Sequence, residues 1–241
     1  MRTDFGIMLQ QFRNYLCTMS TPSHTRQPTE ARQSSLVQAA LRLAAAGSPA
    51  EVTTGALAAA VGITQGAVFR HFENKEAIWI AVLDWVHEAL MARLHAQARP
   101  HSEQGRALQA LQAVFMAHVE FVQKHPGVPR LIFQELQHAG PTPLKQRVQE
   151  LMSAYRELVG GLLEQARSEG SIAADADTQA ATALFVGAVQ GLVMQCLMAE
   201  SLNRIGQQAG AVYAIYARGL QRAATRPAPF HSRSLRKGAC K

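Results

Sequence analysis

Apolar residues recur at intervals of three and four along most of the chain, and this spacing constrains the fold more than any other feature. It is typical of helices that bury one face. The longest uninterrupted run precedes Gly170 and contains Leu144, Val148, Leu151, Tyr155, Leu158 and Leu162. No stretch of useful length alternates polar and apolar side chains, as half-buried strands do. The sequence therefore predicts an all-α protein.

Two very short helices are predicted near residues 53–70. Thr53 can cap the first through its hydroxyl, and Thr64 can cap the second. Gly62 supplies the permissive backbone that the tight turn between them needs. Each cap is bracketed by an apolar pair with the spacing of a hydrophobic staple: Val52 with Leu57, and Ile63 with Val68. Two short helices joined by a three-residue turn containing glycine have the geometry of a helix-turn-helix.

The second of these helices presents groups that a DNA groove recognises. Gln65 has an amide that can pair with a base edge, and Gly66 lets the backbone come close to the groove. Asn74 can cap the next helix, which places the backbone N–H groups and side chain of Lys75 where a phosphate could bind. The same short pattern also arises from packing alone in all-α proteins, so that alternative stays open at this point.

The stretch TTGALAAAVGITQGAVFRHFENKEAI, residues 53–78, resembles the DNA-binding domain of the TetR/AcrR family of transcriptional regulators. The resemblance extends from about Ala31 to Val86. It implies an N-terminal three-helix helix-turn-helix domain, followed by a larger helical-bundle domain for ligand binding and dimerisation. Proteins of this family are homodimers that bind DNA, and their larger domain senses a small molecule. Repression is the commoner outcome and is our default expectation.

The resemblance also implies which residues face the operator. In the family pattern Thr54 and Gln65 lie at the DNA surface, and His71 and Lys75 contact phosphates. The full set of predicted DNA-binding residues is Thr53, Thr54, Thr64, Gln65, Gly66, Phe69, Arg70, His71 and Lys75.

Two positions depart from the family pattern, and two others have alternative roles. Phe69 stands where the family usually has a tyrosine whose hydroxyl bonds a phosphate, so that hydrogen bond is lost here. Gly55 leaves the start of its helix without a long polar side chain for base contacts. Arg70 can pair with Glu73 as readily as with DNA, and His71 can cap a helix end instead of binding a phosphate.

Positive charge is concentrated at the C-terminus. Eight of the 24 lysine and arginine residues follow Glu200, and no acidic residue does. Residues 1–200 therefore contain 16 basic and 17 acidic side chains. The net charge of +7 therefore says little about nucleic-acid binding by the folded part. We expect a disordered leader at 1–28, a helix-turn-helix domain at 29–76, a helical ligand-binding and dimerisation domain at 77–224, and a basic flexible tail at 225–241.

Small residues on the long apolar segment 177–200 predict a dimer interface, because they let two backbones approach closely. The predicted interface residues are Ala183, Gly187, Ala188 and Gly191. The alternative is that they pack inside one subunit. The apolar run is also long enough to span a membrane, but Gln190 and Gln195 favour a buried helix, and we expect no membrane association.

A ligand pocket is expected among aromatic, sulfur and imidazole side chains of the bundle, although each of these can equally be plain core. The candidates are Phe115, His118, Phe133, Met152, Tyr155, Phe185 and Met194. No cluster of lysine or arginine lies at mid-helix to bind an anion, so the sequence favours a small, mainly apolar effector.

No motif indicates an enzyme, a metal site or a cofactor. His118 and His125 are seven residues apart, without an acidic pair at metal-ligand spacing. The three cysteines, Cys17, Cys196 and Cys240, fit neither a disulfide framework nor a zinc site, which favours the cytoplasm.

Together these patterns predict a dimeric cytoplasmic regulator that a small ligand releases from a pseudo-palindromic double-stranded DNA operator. The alternative is a DNA-binding protein of the same fold that acts through a protein partner, without a small-molecule inducer.

Overall fold

A computed structural model describes residues 29–221, and every regular element within that range is a helix, as the all-α prediction requires. The α-helices are α1 (Thr29–Ala46), α2 (Thr54–Ala60), α3 (Gln65–Val68), α4 (Lys75–Ser102), α5 (Ala107–Lys124), α6 (Gly127–Leu136), α7 (Pro143–Ser168), α8 (Thr178–Met198) and α9 (Ile205–Gln221). Short 3₁₀ turns lie at Pro49–Glu51 and Leu202–Arg204. The leader predicted at 1–28 and the tail predicted at 225–241 lie outside the described residues.

Side-chain caps begin the short helices where the sequence predicts them. Thr53 Oγ1 accepts a hydrogen bond from Ala56 N at 3.1 Å, and Thr64 Oγ1 accepts one from Ala67 N at 3.3 Å. Gly62, between the two helices, has a φ of +68°, in the left-handed region that favours glycine. The helix-turn-helix geometry is therefore confirmed. Its apolar face packs on α1, with Leu36, Leu57, Val68 and Phe72 in the core.

Helix α4 belongs to both parts of the molecule. It begins at Lys75, capped by Asn74 Oδ1, and then runs for 28 residues into the bundle. The domain boundary predicted between residues 76 and 77 thus falls in the first turn of a continuous helix and remains a prediction. Pro100 lies in the last turn of this helix, which ends two residues later at Ser102.

Helices α4 to α9 form the bundle. Helix α5 packs against α4, α7 and α9, while α8 packs against α7 and α9. Aromatic side chains fill its centre, where the Phe115 and Phe185 rings meet edge to face at 5.3 Å and the Phe185 and Tyr216 rings at 5.5 Å. Of the helices within residues 29–221, α8 alone is long and apolar enough to cross a membrane. Its residues Thr182, Phe185, Val189 and Cys196 are buried, as expected for the core helix of a bundle.

Helix α6 joins the two parts by packing on α1. At Gly127 an added Cβ would lie 2.4 Å from the carbonyl oxygen of Leu41 and 3.0 Å from the backbone nitrogen of Ala45. Only glycine lets the two helices approach this closely, because real Cβ atoms do not come so near to backbone. The DNA-binding unit and the bundle are therefore in direct backbone contact.

Candidate DNA-binding surface and bundle cavity

Gln65 and Thr54 are joined across the helix-turn-helix. Gln65 Nε2 donates a hydrogen bond to Thr54 Oγ1 at 2.8 Å, which links the first residue of α3 to the first residue of α2. The Gln65 side chain is exposed. One amide N–H and the amide oxygen remain available, and this donor and acceptor pair is what the major-groove edge of an adenine requires. Sequence analysis predicted the two residues, but not the bond between them.

The capping threonines retain a donor each. The oxygens of Thr53 and Thr64 accept backbone N–H groups, so both hydroxyl hydrogens can still be donated. Both side chains are exposed at the start of their helices. A threonine here can therefore cap its helix and donate to a phosphate at the same time.

Gly66 of α3 and the two residues that follow the helix, Phe69 and Arg70, lie at the surface. Gly66 is exposed and an added Cβ there would meet nothing within 4 Å, while Phe69 is 48% exposed. Arg70 is exposed as well, and the ion pairs within residues 29–221 do not include one between Arg70 and Glu73. The guanidinium thus lies free of the intramolecular partner that the sequence offered as an alternative.

His71 and Lys75 lie deeper than the family pattern implies. His71 is partly buried, and its Nδ1 has no hydrogen-bond partner among the described residues. Its carbonyl oxygen accepts a hydrogen bond from Gln33 Nε2 at 3.0 Å, which fixes the end of this segment to α1. Lys75 Nζ donates to the carbonyl oxygen of Ala50 at 2.9 Å. An ammonium has three donors, so two remain for a phosphate.

A cavity of about 70 Å³, partly open to solvent, lies inside the bundle between α4, α5, α6, α7 and α8. Four of the seven predicted pocket residues line it: His118, Phe133, Met152 and Tyr155. The other walls are mostly aliphatic: Val86, Leu90, Phe121, Val122, Val128, Pro129, Ile132, Leu136, Leu151, Val186, Val189, Gln190 and Val193. Sequence analysis missed these, because in the sequence they resemble any other core residues.

Three predicted pocket residues do not line the cavity. Phe115 and Phe185 are fully buried and pack on each other in the aromatic centre. Met194 is 40% exposed and lies outside the cavity wall. Their residue types resemble those of the lining side chains, but they differ in the face of the helix on which they lie.

The cavity contains a polar pair formed by the buried Tyr155 and the partly buried His118. His118 Nδ1 lies 3.0 Å from the Tyr155 hydroxyl. Burial lowers the pKa of His118 from 6.5 to about 4. Burial also raises the pKa of Tyr155 above its ordinary value of 10.0, and the nearby Tyr216 raises it further. Both groups are therefore neutral at neutral pH, and no charged side chain is among the residues that line the cavity.

The outer face of α8 and α9 is apolar and exposed in the single chain. Ala183 and Gly187 are exposed, and Ala188 and Gly191 are partly so. A Cβ added at Gly187 or at Gly191 would meet nothing within 4 Å, so packing inside the subunit does not require glycine there. Large apolar side chains lie on the same two helices, with exposures of 60% at Leu184, 80% at Met198 and 64% at Ile215.

A helix-turn-helix with an exposed Gln65 and two exposed caps, placed on a helical bundle, defines the class of helix-turn-helix DNA-binding regulators. The family model described as "Bacterial regulatory proteins, tetR family" matches residues 36–82. That described as "Tetracyclin repressor-like, C-terminal domain" matches residues 107–211. The chain belongs to the TetR family of DNA-binding transcriptional regulators.

Curated relatives include proteins named nucleoid occlusion factor SlmA. The one from Haemophilus ducreyi is 36% identical over 81 residues, a match that spans 34% of this chain and only 39% of that protein. The one from Vibrio vulnificus is 24% identical over 161 residues, which is 66% of this chain and 81% of that protein.

Solved structures of fatty acid degradation regulators have the same fold. FadR from Bacillus halodurans gives a TM-score of 0.70 at 18% identity, covering 80% of this chain and 97% of that one. FadR from Bacillus subtilis, in complex with stearoyl-CoA, gives a TM-score of 0.65 at 18% identity, covering 77% of this chain and 98% of that one. At these identities the likeness concerns the fold.

The buried His118 predicts a specific dependence of stability on pH. Its folded-state pKa of about 4 lies below its ordinary value of 6.5, so between these values the unfolded chain binds a proton that the folded chain does not. The free energy of unfolding should therefore fall as the pH drops through this window, by up to about 3 kcal/mol from this group. His118→Gln, which can still bond Tyr155, should lose less stability over the same window. Denaturant unfolding of both proteins at several pH values measures the difference, and parallel curves would contradict it.

Proposed function

We propose that this protein is a dimeric cytoplasmic regulator that binds a pseudo-palindromic operator, by default as a repressor, and that a small, mainly apolar and uncharged ligand releases it. The observation that carries the proposal is that one helix serves both sites. Helix α4 starts at Lys75 beside the helix-turn-helix and contributes Val86 and Leu90 to the cavity wall. A ligand that displaces this wall therefore acts on an element of the DNA-binding unit.

DNA recognition is assigned to the surface formed by α2, α3 and the start of α4. Gln65, positioned by Thr54, is the candidate for base contact, with Gly66 allowing close approach. Phosphate contacts are assigned to the positive side chains of Arg70 and Lys75, to the Nε2 atom of His71, and to the Thr53 and Thr64 hydroxyls. Phe69 contributes apolar surface in place of the tyrosine hydroxyl that the family usually has.

Dimerisation is assigned to the exposed face of α8 and α9. A single short recognition helix reads few bases, whereas two copies spaced by roughly 34 Å, one turn of DNA, read a pseudo-palindrome. Exposed apolar side chains such as Leu184 and Ile215 are costly in a monomer and are covered if a second copy packs there. Gly187 and Gly191 then allow the two α8 backbones to approach closely.

The ligand is assigned by the chemistry of the cavity. An anion or cation would lose its hydration there without meeting an opposite charge, and such transfers are costly. His118 and Tyr155 offer a hydrogen-bonding site in a cavity whose other walls are apolar, apart from the amide of Gln190. A neutral apolar molecule with a single polar group fits these walls best.

A second candidate function is supported by the curated relatives. Proteins named nucleoid occlusion factor match up to 66% of this chain, and that name describes an activity other than ligand-induced repression. On this alternative the chain binds DNA and acts through a protein partner. DNA binding is common to both, so response to a small molecule is what distinguishes them.

We expect Gln65→Ala combined with Lys75→Ala to abolish specific binding to DNA that flanks the protein's own gene. The change removes the candidate base contact and one phosphate contact. Loss of a base contact typically costs about 1–3 kcal/mol of binding free energy, and loss of a phosphate contact costs less. Binding is measured at near-physiological salt, against a scrambled fragment. Weak, salt-sensitive binding that is equal in the two proteins would mean that this surface does not read sequence.

A charge placed on the outer face of α8 should separate the dimer. Gly187→Glu has room for its side chain within the subunit, so the fold should persist, but two buried carboxylates would face each other across the interface. Gly161→Glu, on α7 and also without neighbours within 4 Å, is the matched control. Light scattering should report a monomer for Gly187→Glu alone, and an unchanged mass would place the interface elsewhere.

Filling the cavity should remove the response to ligand while leaving DNA binding intact. Met152 lines the cavity and is only partly buried, so Met152→Trp can occupy the space with modest strain. Met116→Trp, a partly buried position outside the lining, is the control. We expect 1-decanol to release wild type and the control from the operator, and decanoate at neutral pH to release neither. Release by decanoate alone would contradict an uncharged ligand, and no release by any apolar compound would favour the protein-partner alternative.

A further inference from the structure

Gln134 on α6 reaches out of the bundle and bonds the DNA-binding unit. Its Oε1 accepts a hydrogen bond from the backbone N–H of Ala50 at 3.0 Å. Ala50 lies in the 3₁₀ turn that precedes α2, 84 residues away in the chain. Ser48 Oγ, the cap of this turn, shares the same N–H at the longer distance of 3.3 Å. Of the two acceptors that share this N–H group, Gln134 thus makes the shorter hydrogen bond.

The other side of the same residue is bonded as well. The carbonyl oxygen of Ala50 accepts the hydrogen bond from Lys75 Nζ at 2.9 Å. We call the two bonds together, Gln134 to Ala50 and Ala50 to Lys75, the Ala50 bridge. A lysine side chain has many rotamers in water, and a bond at its tip restricts them. The Ala50 bridge therefore fixes the position of an ammonium that is the candidate for phosphate contact.

The neighbours of Gln134 on α6 line the cavity or bond to the adjacent helix α7. Ile132 and Phe133 of the same helix line the cavity. On the other side of Gln134, the buried carboxylate of Glu135 accepts a hydrogen bond from the hydroxyl of Thr142, the residue that caps α7. Helix α6 therefore carries a cavity wall on one face and Gln134 on another, so a displacement of the wall also displaces Gln134.

We infer that Gln134 is a positioning residue for DNA binding, which acts on Lys75 through the backbone of Ala50 and connects the cavity wall to the phosphate-binding surface. The inference rests on the proposed function, in which Lys75 contacts a phosphate. In the ligand-free protein the bridge keeps two donors of the ammonium available for the phosphate. A ligand that moves α6 lengthens the bridge, and Lys75 regains its rotamers.

A double-mutant cycle on operator affinity tests the role in positioning. Gln134→Met keeps the length of the side chain and removes the acceptor. Gln137→Met is the control, because Gln137 is exposed and its side chain makes no hydrogen bond to another residue within 29–221. We expect Gln134→Met to weaken operator binding by about 3- to 10-fold, and by less than about 2-fold when Lys75→Met is already present, since coupled residues are not additive. An equal loss in both backgrounds would mean general destabilisation and would overturn the inference.

Hydrogen exchange tests the bridge without DNA. In a Ser48→Ala background, Gln134 is the acceptor that remains for the Ala50 N–H, so Gln134→Met should speed exchange in peptides covering residues 48–53, while Gln137→Met should not. Unchanged exchange would overturn the bridge whatever the affinity data give. If wild type fails to bind its flanking DNA specifically but the exchange difference is present, the proposed function fails and the contact between α6 and the DNA-binding unit stands.

Discussion

The contact between Gly127 and the backbone of α1 sets the distance between the DNA-binding unit and the bundle. With no side chain at this position, α6 approaches α1 to within backbone contact, since an added Cβ would lie 2.4 Å from the Leu41 carbonyl oxygen. Closeness of this kind brings the neighbouring polar groups into hydrogen-bond range. The 3.0 Å bond between Gln134 and Ala50 depends on it, because a helix pushed outward by a methyl group would carry its Oε1 away from the turn.

Two polar side chains, His118 and Tyr155, lie among the apolar walls of the cavity. A histidine and a tyrosine placed among aliphatic walls lose their hydration, and each would be costly alone. The 3.0 Å contact between His118 Nδ1 and the Tyr155 hydroxyl offsets that loss. Burial then keeps the imidazole neutral, since its pKa is lowered to about 4. The result is a cavity that stays uncharged at neutral pH yet retains a site for hydrogen bonding, and on the proposed function this favours neutral ligands over charged ones.

Features that depend on neighbouring residues in the chain could be predicted from the sequence, whereas contacts between distant residues could not. The helix starts at Thr53 and Thr64 could be predicted because a cap needs only its own hydroxyl and the next turn. The helices of the bundle could be predicted because the spacing of apolar residues along a helix is also a local pattern. The sequence did not separate Phe115 and Phe185 from Phe133, because core and cavity residues share a composition and differ only in which neighbours are missing. Nor did any pattern connect Gln134 with Ala50, which are far apart in the chain.

Helix α8 is under two constraints at once, and its residue pattern satisfies both. Val186, Val189 and Val193 form part of the cavity wall, while Gly187 and Gly191 lie where an added side chain would meet no neighbour in the subunit. Branched side chains on the inner face make a stiff wall, because their rotamers are few. Small residues on the outer face leave the backbone free to approach another helix. Because these side chains have few alternative rotamers, on the proposed function a ligand that displaces them displaces the α8 backbone, and with it the outer face. On the proposed function, the cavity wall is thus connected through α8 to the dimer interface and through α4 and α6 to the DNA-binding unit, and these two parts set the spacing of the recognition helices.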